Sequence, residues 1–124
     1  MSTAPAKVNI AEALAGIDDH WHPRIAAEIN GTHVKLVKFA GAFDWHSHAE
    51  EDELFLVIAG TLRMKLRSGD IDVGPGEFIT IPHGTEHCPE AIGGECAVML
   101  IEPASTINTG DVVTAKTRTE LQRL

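Results

Sequence analysis

A chain of 124 residues has room for one hydrophobic core, and folding should bury about two-thirds of the surface that the unfolded chain exposes. With 44% hydrophobic and 23% charged residues, the composition is that of an ordinary globular domain and excludes a disordered or low-complexity one. Ten basic residues against 18 acidic ones leave a formal charge of -8, which repels polyanions and anionic lipid and argues against nucleic-acid and membrane partners.

Residues 1–22 contain one stretch of helix-like spacing, Ile10, Leu14 and Ile17, closed by Gly16 and Asp18-Asp19-His20. A short helical turn is expected there, within an N-terminal extension. From Pro23 the pattern changes to short β-like runs at residues 24–29, 33–40, 53–59, 61–66, 71–73, 77–81 and 96–101. Asn30-Gly31, Ala59-Gly60, Ser68-Gly69-Asp70, Gly74-Pro75-Gly76, Pro82-His83-Gly84 and Gly93-Gly94 supply the tight connections. No helix of ordinary length fits between them, so the spacing predicts an all-β sandwich or barrel over residues 23–103. Residues 104–124 form a polar, Thr-rich tail expected to pack on the barrel or on a partner subunit. The longest apolar run, Leu54 to Ala59, is far too short to cross a bilayer, and residues 1–16 lack the pattern of a secretory leader. A cytoplasmic protein is expected, with Cys88 and Cys96 as free thiols.

Seven histidines are many for so short a chain, and His is the side chain most often used to hold metal or move protons near neutral pH. His46 and His48 are two apart, so strand alternation points both imidazoles to one face. Glu53 follows the acidic segment 49–52; if that segment reverses the chain, its carboxylate returns to the histidine face with Phe55 and Val57 beside it. His87 comes 34 residues later, three after Gly84. Three neutral imidazoles and a carboxylate suit a divalent Mn, Fe, Co, Ni, Cu or Zn ion and usually leave positions for water or substrate.

The run Gly41 … His46-Ser47-His48 … Glu53 … Gly60 resembles the first cupin motif, with four residues between His48 and Glu53 and six between Glu53 and Gly60. Gly76 … Pro82-His83-Gly84-Thr85-Glu86-His87 resembles the second motif at every spacing, and fifteen residues separate Gly60 from Gly76, as in small single-domain microbial cupins. Two positions depart from the pattern. Four residues separate Gly41 from His46 where five are usual, and Ala91 stands where an Asn often helps fix the second-motif His loop. The resemblance, over residues 33–101, implies a double-stranded β-helix, or jelly-roll barrel. It also implies one divalent transition-metal ion per subunit, held by His46, His48, Glu53 and His87. A homodimer is implied too, with residues 24–29 as the strand that crosses to the partner sheet.

For His20, His22, His33 and His83 the plain reading is a hydrogen-bonded structural histidine. Glu50, Glu51 and Asp52 read as a solvated turn. Cys88 alternates away from His87 and reads as packing. Phe55 and Met64 are candidates for a substrate pocket, with plain core as the competing assignment. Trp45, and by the same reasoning Trp21, is expected to cover the outside of the barrel or a subunit contact.

Cupins include dioxygenases, isomerases, epimerases, lyases and non-catalytic binders, so the fold does not choose among them. The first reading is a metal-dependent enzyme, of dioxygenase or isomerase type, acting on a small oxygen-containing molecule. Glu53 is then the fourth ligand or, when displaced, a catalytic base. The second is a non-catalytic module that binds or senses a sugar or effector with the metal as anchor. A nucleic-acid regulator has neither the extra domain nor the charge.

Overall fold

The computed structural model describes residues 4–124. Among them are one helix, α1 (Ile10–Ala15), and six strands: β1 (Arg24–Ile29), β2 (Thr32–Phe39), β3 (Glu53–Leu66), β4 (Ile71–Val73), β5 (Phe78–Ile81) and β6 (His87–Pro103). All strand pairs are antiparallel, in the order β1-β2-β6-β3-β4, with β5 on the other side of the first half of β3. No helix among the described residues is long and apolar enough to cross a membrane.

Local chemistry accounts for the framework. Asn30 and Gly31 both have positive φ, 47° and 79°, the conformation that a two-residue hairpin needs to match strand twist, and they join β1 to β2. The Asn9 side chain accepts a hydrogen bond from Glu12 N at 2.9 Å and so caps α1. The helix lays Leu14 on Leu36 and Ala97, covering the outer face of β2 and β6 and burying Ile17 alongside. On the inner face Val37, Phe39, Phe55, Val57, Leu62, Met64, Val98 and Leu100 pack into the main core.

Two expected connections are bends inside long strands. β3 runs through Ala59-Gly60 and β6 through Gly93-Gly94, with register shifts around Ala59. Gly60, at φ 84°, packs so closely that a Cβ would lie 2.5 Å from Glu95 O, so the two bends nest where only glycine fits. Each long strand therefore contributes two segments at an angle, and the sheet curls back on itself.

Trp21 corrects the expectation that it lies outside. It is buried, stacks on Phe39 and Phe43 with ring centroids 4.2 and 4.7 Å away, and donates Nε1–H to Ala40 O. Its φ of 58° is a strained conformation held by these contacts. Trp45 is half-buried beneath the Arg67 guanidinium, 3.8 Å from the ring centroid.

The tail folds over its own chain. Asp111 N donates to Ser47 O, Lys116 reaches Asp44 at 3.7 Å, and Gly110 packs directly on Ser47. The last residues lie along the outer edge of β1, through Ile25 N to Gln122 O and Leu124 N to Ile25 O.

Candidate metal centre

The His46-Ser47-His48 run lies beside the start of β6. His46 and His87 exchange both backbone hydrogen bonds, at 3.0 and 2.9 Å, and the pairing continues through Phe43 N to Pro89 O and Ala91 N to Gly41 O. Backbone contacts thus fix the second-motif loop, and Gly41 serves as a partner of Ala91 although both positions depart from the cupin pattern. Gly84 N donates to His48 O at 2.7 Å, tying the two motifs together.

Glu53 arrives from elsewhere. It begins β3, while His87 begins β6 opposite Leu66 at the other end of the β3–β6 ladder. The curl of the sheet closes that gap, leaving Glu53 Oε1 3.3 Å from Nε2 of both His48 and His87. The acidic segment lies at the surface, with Glu50 and Asp52 exposed and Glu51 half-buried, and two of its members are fastened there. Glu51 accepts from the Ser105 hydroxyl, and Asp52 accepts from His83 N and faces His83 Nδ1, each at 2.8 Å.

Donor atoms of His46, His48, Glu53 and His87 all lie within 4.8 Å of one another, and all four residues are buried. Ligands 2.0–2.2 Å from an ion sit up to about twice that distance apart, so a small contraction completes a coordination shell. Among the described residues, His48 Nε2, His87 Nε2 and Glu53 Oε1 have no hydrogen-bond partner of good geometry. Unpartnered buried polar atoms are costly, and a cation would satisfy all three, so the donor set fits a metal ion. His46 Nδ1–H donates to Asp44 O and His87 Nδ1–H to Thr85 O, at 2.8 and 2.9 Å, which leaves each Nε2 lone pair free to ligate.

Electrostatics keep the donors ready. Burial, reinforced by the neighbouring His87, lowers the His46 pKa to about 4. Burial opposes ionisation of Glu53, but the imidazoles of His48 and His87 and a bond from the Glu102 carboxyl outweigh it, holding Glu53 below the usual carboxylate range. Burial and the Glu53 charge push Glu102 well above that range.

A cavity of about 20 Å³ adjoins the cluster, lined by Trp21, Phe39, Phe43, Phe55, His46, Glu53 and Asn108 among others. That is room for about one water. Phe55 is therefore at the site, whereas Met64 packs wholly buried in the core, across the strands from Ile71 and Pro89. The remaining histidines have carboxylate neighbours: His20 with Glu95, His22 with Asp19, His33 with Glu28 and His83 with Asp52. Cys88 and Cys96 are free and buried.

Residues 33–103 match the profile of the Cupin_2 family, described as a cupin domain. The chain belongs to this family. The cupin is 44% identical to a cupin-2 domain-containing protein from Shewanella frigidimarina, whose crystal structure superposes with a TM-score of 0.75 over 77% of this chain and 93% of that one. Protein NMB1881 from Neisseria meningitidis is 27% identical and superposes at 0.71, over 79% and 99%. The uncharacterized protein YdbB of Bacillus subtilis is 37% identical over 62 residues, 49% of the cupin and 55% of YdbB, so the match spans about half of that curated relative.

Three polar residues at or behind the site were not singled out from the sequence: the buried Lys35 and Glu102, and Asn108 in the cavity lining. For the first two a signal existed. Lys35 is in phase with Val37 and Phe39, and Glu102 with Val98 and Leu100, so alternation sends both charges inward. Asn108 carried none, because its place depends on how the tail folds back.

Proposed function

We propose that this cupin is a metal-dependent enzyme that binds one divalent transition-metal ion per subunit through His46, His48, Glu53 and His87. It acts on a small oxygen-containing molecule by dioxygenase- or isomerase-type chemistry. The observation that carries the proposal is the set of unpartnered, buried, converging donor atoms beside an aromatic cavity. When bound, the ion supplies Lewis-acid or redox chemistry at its open positions. His46 and His87 present fixed lone pairs, Glu53 ligates or moves a proton, and Phe55 with Trp21 and Phe39 excludes water. No Lys or Arg lines the cavity among the described residues, and its walls are mostly apolar, which disfavours sugar phosphates and polyhydroxylated sugars as substrates. Protein purified without a tag should contain a first-row metal. Reconstituted with each such metal in turn, it should turn over an enol, catechol or diketone in a panel that carries sugars as the disfavoured class; no turnover with any metal rejects the enzyme.

The lining favours one second reading, a binding module with the metal as anchor, because no acid or base other than the ligands His46 and Glu53 lines the cavity among the described residues. A ligand that raises thermal stability and is recovered unchanged would select it. We also propose a cytoplasmic homodimer. The edge of β1 at Ile25 is taken by the chain's own residues 122–124, so the partner contact would use Ala27 to Ile29 or the face bearing the exposed Ile71 and Phe78. Light scattering that reports only monomer at micromolar concentration rejects the dimer.

A further inference from the structure

Lys35 lies inside the barrel. Its side chain is 2% exposed, and its ammonium meets Glu102 Oε1 at 3.0 Å; the Glu102 side chain is 1% exposed. Taking Lys35 and Glu102 wholly out of water adds little to stability, because desolvation consumes the electrostatic gain, and an apolar pair of similar size often does as well or better. The pair therefore calls for an explanation other than holding the fold together.

Its surroundings supply one. β6 places Glu102 next to Ile101, which pairs with Leu54 of β3, so Glu53 and Glu102 stand opposite each other at the end of that ladder. Opposite positions of an antiparallel pair carry their side chains on one face, about 5 Å apart at Cβ; both residues are buried, and Glu102 Oε2 has no hydrogen-bond partner among the described residues. A buried series thus runs from the Lys35 ammonium, 3.0 Å from Glu102, to Glu53 on the strand opposite, whose Oε1 faces His48 and His87. His46 and His87 are oriented by backbone carbonyls; Glu53 has this side-chain chain instead.

We propose that Lys35 and Glu102 are positioning residues of the metal centre: Lys35 anchors Glu102, and Glu102 holds the Glu53 carboxylate in its ligating orientation. This rests on the metal-binding reading above. Groups that orient a ligand commonly change metal affinity about 10- to 100-fold when removed.

The test uses the full chain with Co²⁺ alone as the probe, reading dissociation constant, visible ligand-field spectrum and unfolding of the metal-free protein. The double variant Lys35→Met/Glu102→Leu replaces the pair by apolar side chains and should unfold cooperatively, at or above the wild-type midpoint. It should bind Co²⁺ about 10- to 100-fold more weakly, with an altered spectrum. Glu102→Gln, which keeps the side chain's length and an oxygen to accept from Lys35, should keep wild-type affinity and spectrum. If the double variant fails to fold, Lys35→Met and Glu102→Leu taken singly carry the same expectation. Wild-type affinity and spectrum in a folded variant without the pair overturn the proposal, as does a pair that proves essential for folding in every form except Glu102→Gln. Wild-type protein that binds no Co²⁺ removes the metal reading itself, a result distinct from either.

Discussion

Gly110 is the point where the tail closes on the metal loop, and Gly110→Ala tests whether that closure matters. At φ 60° an L-residue costs about 1 kcal/mol of backbone strain. In addition, a Cβ would overlap the Ser47 carbonyl and lie 3.3 Å from His48 Nδ1. Both neighbours are held: Ser47 by the flanking pairings of His46 and His48, His48 through Gly84. The tail must give way, losing the bond from Asp111 N to Ser47 O, about 1 kcal/mol, and part of the packing of the fully buried Thr109, about another. The sum is about 3 kcal/mol. For a domain of this size that lowers the unfolding midpoint by about 12 °C. Gly76→Ala is the control, because φ is 80° there but nothing lies within 4 Å of the added Cβ, so it should cost only the strain, about 1 kcal/mol and 4 °C. Thermal unfolding of the metal-free proteins by circular dichroism measures both. Equal midpoints for the two variants would refute the closure, and Co²⁺ affinity should fall only in Gly110→Ala.

Metal and protons should act on the site in opposite directions. Co²⁺ at about 100 times its dissociation constant should stabilise the wild type by about 2.7 kcal/mol in a thermal-shift measurement and leave His87→Ala unmoved. In the metal-free protein the His46 pKa is about 4, below its ordinary value of 6.5. The unfolded chain therefore binds the extra proton between pH 6.5 and 4, and the His46 contribution to stability is lost as pH falls through that window. Against His46→Gln, which does not titrate, denaturant unfolding should show the wild type losing about 3 kcal/mol over that range; a constant difference would contradict the assigned pKa. Burial raises the thiol pKa of Cys96 to about 11 and also raises that of Cys88, so an aromatic disulfide reagent at pH 8 should label neither until the protein unfolds.

Much of the architecture was legible because it is local. Asn30-Gly31 names its own turn, and alternation along β2, β3 and β6 assigns the inward face, Phe55 and Val57 included. The motif spacing singled out the four residues whose donor atoms cluster. Glycine pairs were harder. Ala59-Gly60 and Gly93-Gly94 carry the composition of turns, yet each bends a continuous strand, because what decides is the close approach of Gly60 to Glu95, a contact across the sheet.

The sequence by itself determined which side chains point inward and which donors are available, since both follow from neighbours along the chain. It did not determine which ends of the sheet meet. Glu53 reaches His48 and His87 because two long strands bend together at Gly60 and Gly93-Gly94. Trp21 is inside because Phe39 and Phe43 form the surface it stacks on. Lys35 meets Glu102 inside the barrel because β2 and β6 pair along their length. Such contacts join residues far apart in sequence, and close packing selects among them only once the whole barrel has formed.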